Sequence, residues 1–245
     1  MCKCCTAKAS YNVPLLYQSQ GQGKEMLVSE KNFREVIGQC NAYQATCIAV
    51  TKTRPIEVFQ EFQALGHNIF GENRVDALIQ RQEELADDVY NTWHFIGHLQ
   101  RKKVVKLAHK CHLIHSADSL KLLNQINLKA SSPQKVLLQF HIGQEESKYG
   151  MKIDTWEDII SSIQTMELKN LQIAGVMGMA TYTDDRHQIE REFKILRKTF
   201  EDLKPFMQSI SQPFETVSMG MSNDYKIALD HGSTMVRIGS YLYHS

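Results

Sequence analysis

From Ser29 onward, short and nearly continuous apolar runs alternate with amphipathic stretches. Apolar runs of a few residues bounded by turn formers read as buried parallel strands, while apolar residues recurring three and four apart read as helix. Ser29 can cap a first helix in which Phe33, Val36, Ile37 and Cys40 share a face. The β-rich run Thr46–Val50 follows and enters Lys52. Pro55 opens a helix that buries Val58, Phe59, Phe62 and Leu65, and Gly66 ends it. Further strands are predicted at 68–70, 92–96, 112–115, 135–142, 172–177, 215–217 and 235–238, with helical patterns between them, the longest over 187–207.

About eight strand–helix units in roughly 200 residues predict a single closed (β/α)8 barrel of the TIM type with an added N-terminal helix. An open doubly wound sheet is the alternative, since strand count does not establish closure. No helix follows the last strand, so the helix that starts at Ser29 is expected to cover that seam. Residues 1–28 are small and polar with no period, and are expected to form an irregular tail on a domain spanning 29–245.

The unusual residues gather just after the strands: Lys52, Gly71-Glu72-Asn73, Gly97-His98, Ser116 to Asp118, Glu145 to Gly150, Met179 to Tyr182, Ser218 to Asn223 and Gly239-Ser240. Turn formers favour such places in any protein. In a parallel barrel, however, every strand ends on one face, and that face carries the site.

The formal net charge of +1 excludes a broad basic field for nucleic acid or a membrane surface. No apolar run approaches the roughly 20 residues that cross a bilayer, and no apolar leader follows Met1, so the cytoplasm is the expected location. Cys40, Cys47 and Cys111 read as reduced core residues. Cys2, Cys4 and Cys5 have no second ligand cluster, and no metal is expected.

Lys52 sits where an apolar strand stops. A lysine there is either a solvated charge or, with lost solvation, an amine that attacks an aldehyde. At the other end of the chain, Ser218-Met219-Gly220-Met221-Ser222 opens one helix, and Gly232-Ser233-Thr234 and Arg237-Ile238-Gly239-Ser240 flank the last strand. Loops after the seventh and eighth strands of such barrels commonly bind phosphate, and glycine lets the backbone approach it. An imine-forming amine after the first strand and a phosphate cradle after the last two describe a pyridoxal 5′-phosphate (PLP) site.

The stretches AVTKT (49–53), FGENRV (70–75), WHFIGHLQRKK (93–103), IHSADS (114–119), VLLQFHIGQEESKYG (136–150), GVMGMA (175–180), SMGMSNDYKIAL (218–229) and HGSTMVRIGS (231–240) resemble the pyridoxal phosphate homeostasis protein family, whose barrel is shared with the N-terminal domain of alanine racemase. The resemblance implies that Lys52 carries PLP as a Schiff base and that Arg237 faces the pyridine nitrogen. It implies that Ser222, Gly239 and Ser240 bind the phosphate, with Ser218 and Thr234 nearby, and that Asn73 and Met219 line the ring. Arg54, Arg74 and Lys102 depart from the lysine, tyrosine and asparagine usual in the family.

Racemisation needs bases on both faces of a substrate Cα. In alanine racemase the second base comes from a C-terminal domain, and this chain stops at Ser245 without one. The expected role is therefore non-catalytic: vitamin B6 (PLP) homeostasis, in which a monomer binds the cofactor and passes it to apo-enzymes, with no nucleic-acid or membrane partner. An amino-acid racemase-like PLP enzyme and a sugar-phosphate barrel enzyme are the alternatives. Lys148 is either a solvated loop lysine or a second aldehyde-binding lysine.

Overall fold

The computed structural model describes residues 26–85, 90–145 and 149–244. Eight parallel strands form the barrel: β1 (Thr46–Val50), β2 (Ile69–Glu72), β3 (Thr92–Phe95), β4 (Leu113–Ala117), β5 (Gln134–His141), β6 (Leu171–Met177), β7 (Thr216–Ser218) and β8 (Met235–Ile238). Each pairs with its sequence neighbour, and the ring closes where Thr46, Cys47, Ile48 and Ala49 pair with Met235, Val236, Arg237 and Ile238. The open doubly wound alternative is thereby excluded. Lys52 and Arg237 lie 185 positions apart in the chain, and this closure makes them neighbours.

Helices α1 (Glu30–Ala42), α2 (Glu57–Ala64), α3 (Val75–Glu84), α4 (Val104–Leu107), α5 (Leu120–Lys129), α6 (Trp156–Thr165), α7 (Arg186–Ser209) and α8 (Tyr225–Asp230) surround the barrel. Helix α1 begins as expected, with the Ser29 hydroxyl accepting from Asn32 N. It covers the β8–β1 seam: Ser29 N donates to Leu242 O at 2.8 Å, and Glu35 binds both Lys226 and Tyr241. Gly66 takes φ +79°, so the chain leaves α2 through a left-handed turn that glycine adopts freely.

Two elements differ from the sequence reading. The helical pattern between the third and fourth strands forms only a 3-10 turn, Arg101–Lys103, and four helical residues, Val104–Leu107, after which His109 takes φ +67°. A two-residue strand, Met151–Lys152, pairs with the end of β5, Phe140 to Met151 and His141 to Lys152. Gly150 permits that approach, because a Cβ there would meet His141 N at 2.5 Å.

Strand alternation sends one set of side chains outward and the other into the barrel. The outward set, with Phe70, Trp93, Val136 and Val236, packs against Phe59, Phe62, Phe193 and Leu203 of the helices in one continuous apolar layer. The inward set has a smaller apolar cluster of Leu113, Leu137, Ala174 and Met177. Buried His94, His115, Ser218 and Arg237 also point inward, where they hydrogen-bond one another. Among the described residues no helix is long and apolar enough to cross a membrane, and no three His, Cys, Asp or Glu residues gather as a metal site.

Candidate functional site

A cavity of about 620 Å³ opens at the end of the barrel where the strands terminate. That volume is ordinary for a small-molecule site. Val50 and Lys52 reach it from β1, Asn73 from the loop after β2, and Gly97 from the loop after β3. Met221, Ser222, Arg237, Gly239 and Ser240 reach it from the last two strand ends, and Thr181 to Asp184 form part of a further wall. β1 ends at Val50, which faces the lumen, and the chain turns directly after it, with Arg54 N donating to Thr51 O at 3.0 Å, so Lys52 sits at the cavity on the turn.

The turn that holds Lys52 is braced from outside. Thr51 is buried, and its hydroxyl donates to Glu72 Oε1 at 3.0 Å. Burial pushes the Glu72 carboxyl above its usual range, and the Thr51 hydroxyl bond opposes that shift. Thr53 follows at φ +62°, a strained conformation for a β-branched residue. Arg54 then stacks its guanidinium 3.9 Å over the Tyr243 ring, whose hydroxyl donates to Val50 O at 2.8 Å.

Gly97 seats Asn73. A Cβ on Gly97 would lie 2.0 Å from Asn73 O, so only glycine allows the two loops to touch there. On the other side of β1, Gly239 N and Tyr241 N both point at Ser222 Oγ, at 3.2 and 3.3 Å. These backbone donors and the serine hydroxyl form a compact, uncharged cradle of the kind that accepts an anion.

Arg237 forms part of the cavity floor. It is 4 % exposed, with Nη1 donating to Ser218 Oγ at 2.6 Å and Nη2 to Gly178 O at 3.1 Å. Burial lowers its pKa to about 10, which still leaves it charged at neutral pH.

Residues 29–245 match the family described as alanine racemase, N-terminal domain. The chain is 34% identical over 202 residues to the pyridoxal phosphate homeostasis protein of Aquifex aeolicus, covering 81% of this chain and 86% of that protein. It is 33% identical over 217 residues to the Homo sapiens protein of the same name, covering 82% and 77%. The chain belongs to the pyridoxal phosphate homeostasis protein family. A solved structure of the family member PipY from Synechococcus elongatus with PLP bound has a TM-score of 0.77 and 28% identity, covering 87% of this chain and 99% of that one. The PLP-free PipY structure gives 0.79 at 29% identity, with the same coverage. An alanine racemase from Clostridium difficile shares the fold, with a TM-score of 0.65 at 12% identity and 57% of its chain covered.

In this homeostasis-family barrel, six residues singled out in the sequence share the cavity: Lys52, Asn73, Ser222, Arg237, Gly239 and Ser240. Three others stand elsewhere. Ser218 is fully buried under Arg237 and touches its guanidinium instead of the cavity. Met219 follows Ser218, so alternation turns it outward into the apolar layer beneath the helices. Thr234 sits at the start of β8, where its hydroxyl accepts from Val217 N at 2.9 Å. Five residues at about 3.3 Å each separate it from Gly239, roughly 16 Å along the strand. Thr234, which the resemblance places near the phosphate, thus stands at the other end of β8 from Gly239. Lys148, Cys2, Cys4 and Cys5 lie outside the described residues.

Gly97 and the wall from Thr181 to Asp184 gained no site role in the sequence reading, although Gly97 and Met179 to Tyr182 already stood out as strand-end residues. The Thr181 backbone and hydroxyl are held by Glu192, at 2.6 and 2.7 Å. Glu192 is a buried acid on the inner face of α7, and an acid on an otherwise apolar stripe was the available signal.

Proposed function

We propose that this protein holds PLP as a Schiff base on Lys52 and serves intracellular vitamin B6 homeostasis as a carrier without turnover. One observation carries the reading: an amine, a buried guanidinium and an uncharged anion cradle face one cavity of suitable size. Lys52 Nζ would condense with the aldehyde carbon, releasing water. The Ser222 hydroxyl, Ser240 and the Gly239 and Tyr241 amides would hold the phosphate, and Asn73 would border the ring. Arg237 would face the ring nitrogen. A bound PLP supplies an aldehyde and an electron-withdrawing ring, and an arginine partner keeps that nitrogen unprotonated and the ring a weak electron sink.

The non-catalytic part of the reading is supported by the names of the curated relatives and by this weak sink. The partners it implies are apo-enzymes that require PLP, with the chain acting as a cytoplasmic monomer in which the barrel spans 29–245; Val28, expected in an irregular tail, is instead buried against the barrel and bridged to Tyr243. Tyr182 and Asp184 in the cavity wall favour a second reading, residual racemase-like proton exchange. Borohydride reduction of PLP-loaded protein followed by peptide mapping tests the proposal. The expected result is one pyridoxyl adduct on the Lys52 peptide, absent in Lys52→Ala. An adduct elsewhere, or none, overturns it, while steady racemisation of an amino acid by purified protein overturns the carrier role.

A further inference from the structure

A chain of buried polar side chains crosses the barrel beneath the cavity floor. Arg237 Nη1 donates to Ser218 Oγ at 2.6 Å, Ser218 Oγ lies 3.0 Å from His115 Nδ1, and His115 Nε2 lies 3.0 Å from His94 Nδ1. The four residues stand on β8, β7, β4 and β3, so the chain joins opposite walls of the barrel. Each is 4 % exposed or less. An apolar filling would close the lumen at less desolvation cost, so a polar chain that ends on a cavity residue calls for a role.

The donors and acceptors along the chain fix its direction. Arginine only donates, so Ser218 Oγ accepts from Arg237. The Ser218 proton then requires an acceptor, and His115 Nδ1 is placed to be it. His115 must in turn carry its own proton on Nε2 and donate to His94 Nδ1. Both rings stay neutral, because burial holds His94 down to about 3 and His115 well below its ordinary value. A protonated His115 could not accept, and it would set a second positive charge near the guanidinium.

We propose that His115, backed by His94, is a positioning residue for Arg237: it fixes the Ser218 hydroxyl, and through it the tilt of the guanidinium at the cavity floor. With Nη2 held by Gly178 O, the hydroxyl is the acceptor that holds Nη1 and so fixes the other side of this tilt. The inference rests on the PLP reading, in which Arg237 faces the ring nitrogen. The chain therefore governs how well that contact is made, while Lys52 governs whether the cofactor is held covalently.

The test compares His115→Asn, His115→Phe, Ser218→Ala and the Ser218→Ala/His115→Phe double variant. The readouts are PLP dissociation constant, absorption spectrum of the bound cofactor and melting temperature of ligand-free protein. An asparagine amide oxygen can accept where Nδ1 did, so His115→Asn is expected to stay within about threefold of wild type in affinity. His115→Phe and Ser218→Ala are each expected to weaken PLP about tenfold and to shift the absorption maximum, the scale of one lost bond to a charged group. The double variant is expected to bind no worse than Ser218→Ala, because His115 acts through that hydroxyl.

A merely structural histidine would instead give losses that follow melting temperature, with no rescue by asparagine. Wild-type spectrum and affinity in Ser218→Ala, or additive losses in the double variant, overturn the inference. Should His115→Phe fail to fold, the contrast between Ser218→Ala and His115→Asn decides alone. Wild-type protein that binds no PLP would sink the functional reading, whereas a PLP-binding wild type with indifferent variants sinks only this inference.

Discussion

Gly97→Ala is the sharpest probe of how the cavity is assembled. The added Cβ would lie 2.0 Å from Asn73 O and 2.7 Å from its carbonyl carbon and Cα. Real Cβ contacts seldom fall below about 3.4 Å, so the two loops must part by about 1.4 Å. The obstacle is backbone on both sides and cannot rotate away, which places the cost near the top of the overpacking range, about 3 kcal/mol. For a chain of this size each kcal/mol shifts the melting temperature by roughly 2–4 °C, so a fall of about 6–12 °C is expected by calorimetry. Asn73 would move off the cavity wall, and PLP should bind about fivefold more weakly, the scale of one ordinary hydrogen bond. Gly38→Ala is the control. It lies mid-helix in α1 with nothing within 4 Å, and should raise stability by about 0.5–1 kcal/mol. A Gly97→Ala protein that melts and binds as wild type would refute the claim that close loop contact seats Asn73.

Removal of the Ser222 hydroxyl tests the anion cradle: Ser222→Ala should weaken PLP by roughly 10–100-fold but leave pyridoxal, which lacks the phosphate, unaffected in a fluorescence titration. Equal losses for both ligands would remove Ser222 from the phosphate site. Buried histidines predict acid lability. His67 is lowered to about 4 and His94 to about 3, both chiefly by burial. Folding holds these rings neutral, so their stabilising contribution is complete above the unfolded value near pH 6.5 and is lost as pH falls toward 4 and 3. Each approaches a slope of about 1.4 kcal/mol per pH unit in that window. Urea unfolding of ligand-free protein at pH 7 and pH 5 should show the loss, and His67→Phe should remove one histidine's share of the slope. A slope unchanged in that variant counts against the assignment.

Much of the architecture was present in the linear pattern, because burial against a sheet or a helix is a local property with a fixed period. Apolar runs located all eight strands to within a few residues. The end of an apolar run marked Lys52 as a strand-end residue, and Ser29 marked the start of α1 to the residue. Local pattern was less informative where geometry is irregular. The shortened α4 and the Met151–Lys152 strand depend on left-handed turns at His109 and Gly150, where tertiary contacts outweigh propensity.

Which residues meet was a different matter. Thr234 and Gly239 belong to one motif in the chain yet occupy opposite ends of a strand, and Met219 turns outward beside an inward Ser218. The Ser218–His115 contact joins positions 103 apart, and the two histidines are 21 apart on adjacent strands. Periodicity states that a side chain points into the lumen. Only closure of the ring, through the pairing of β1 with β8, determines what it faces across that lumen, because facing partners are set by the register of all eight strands together.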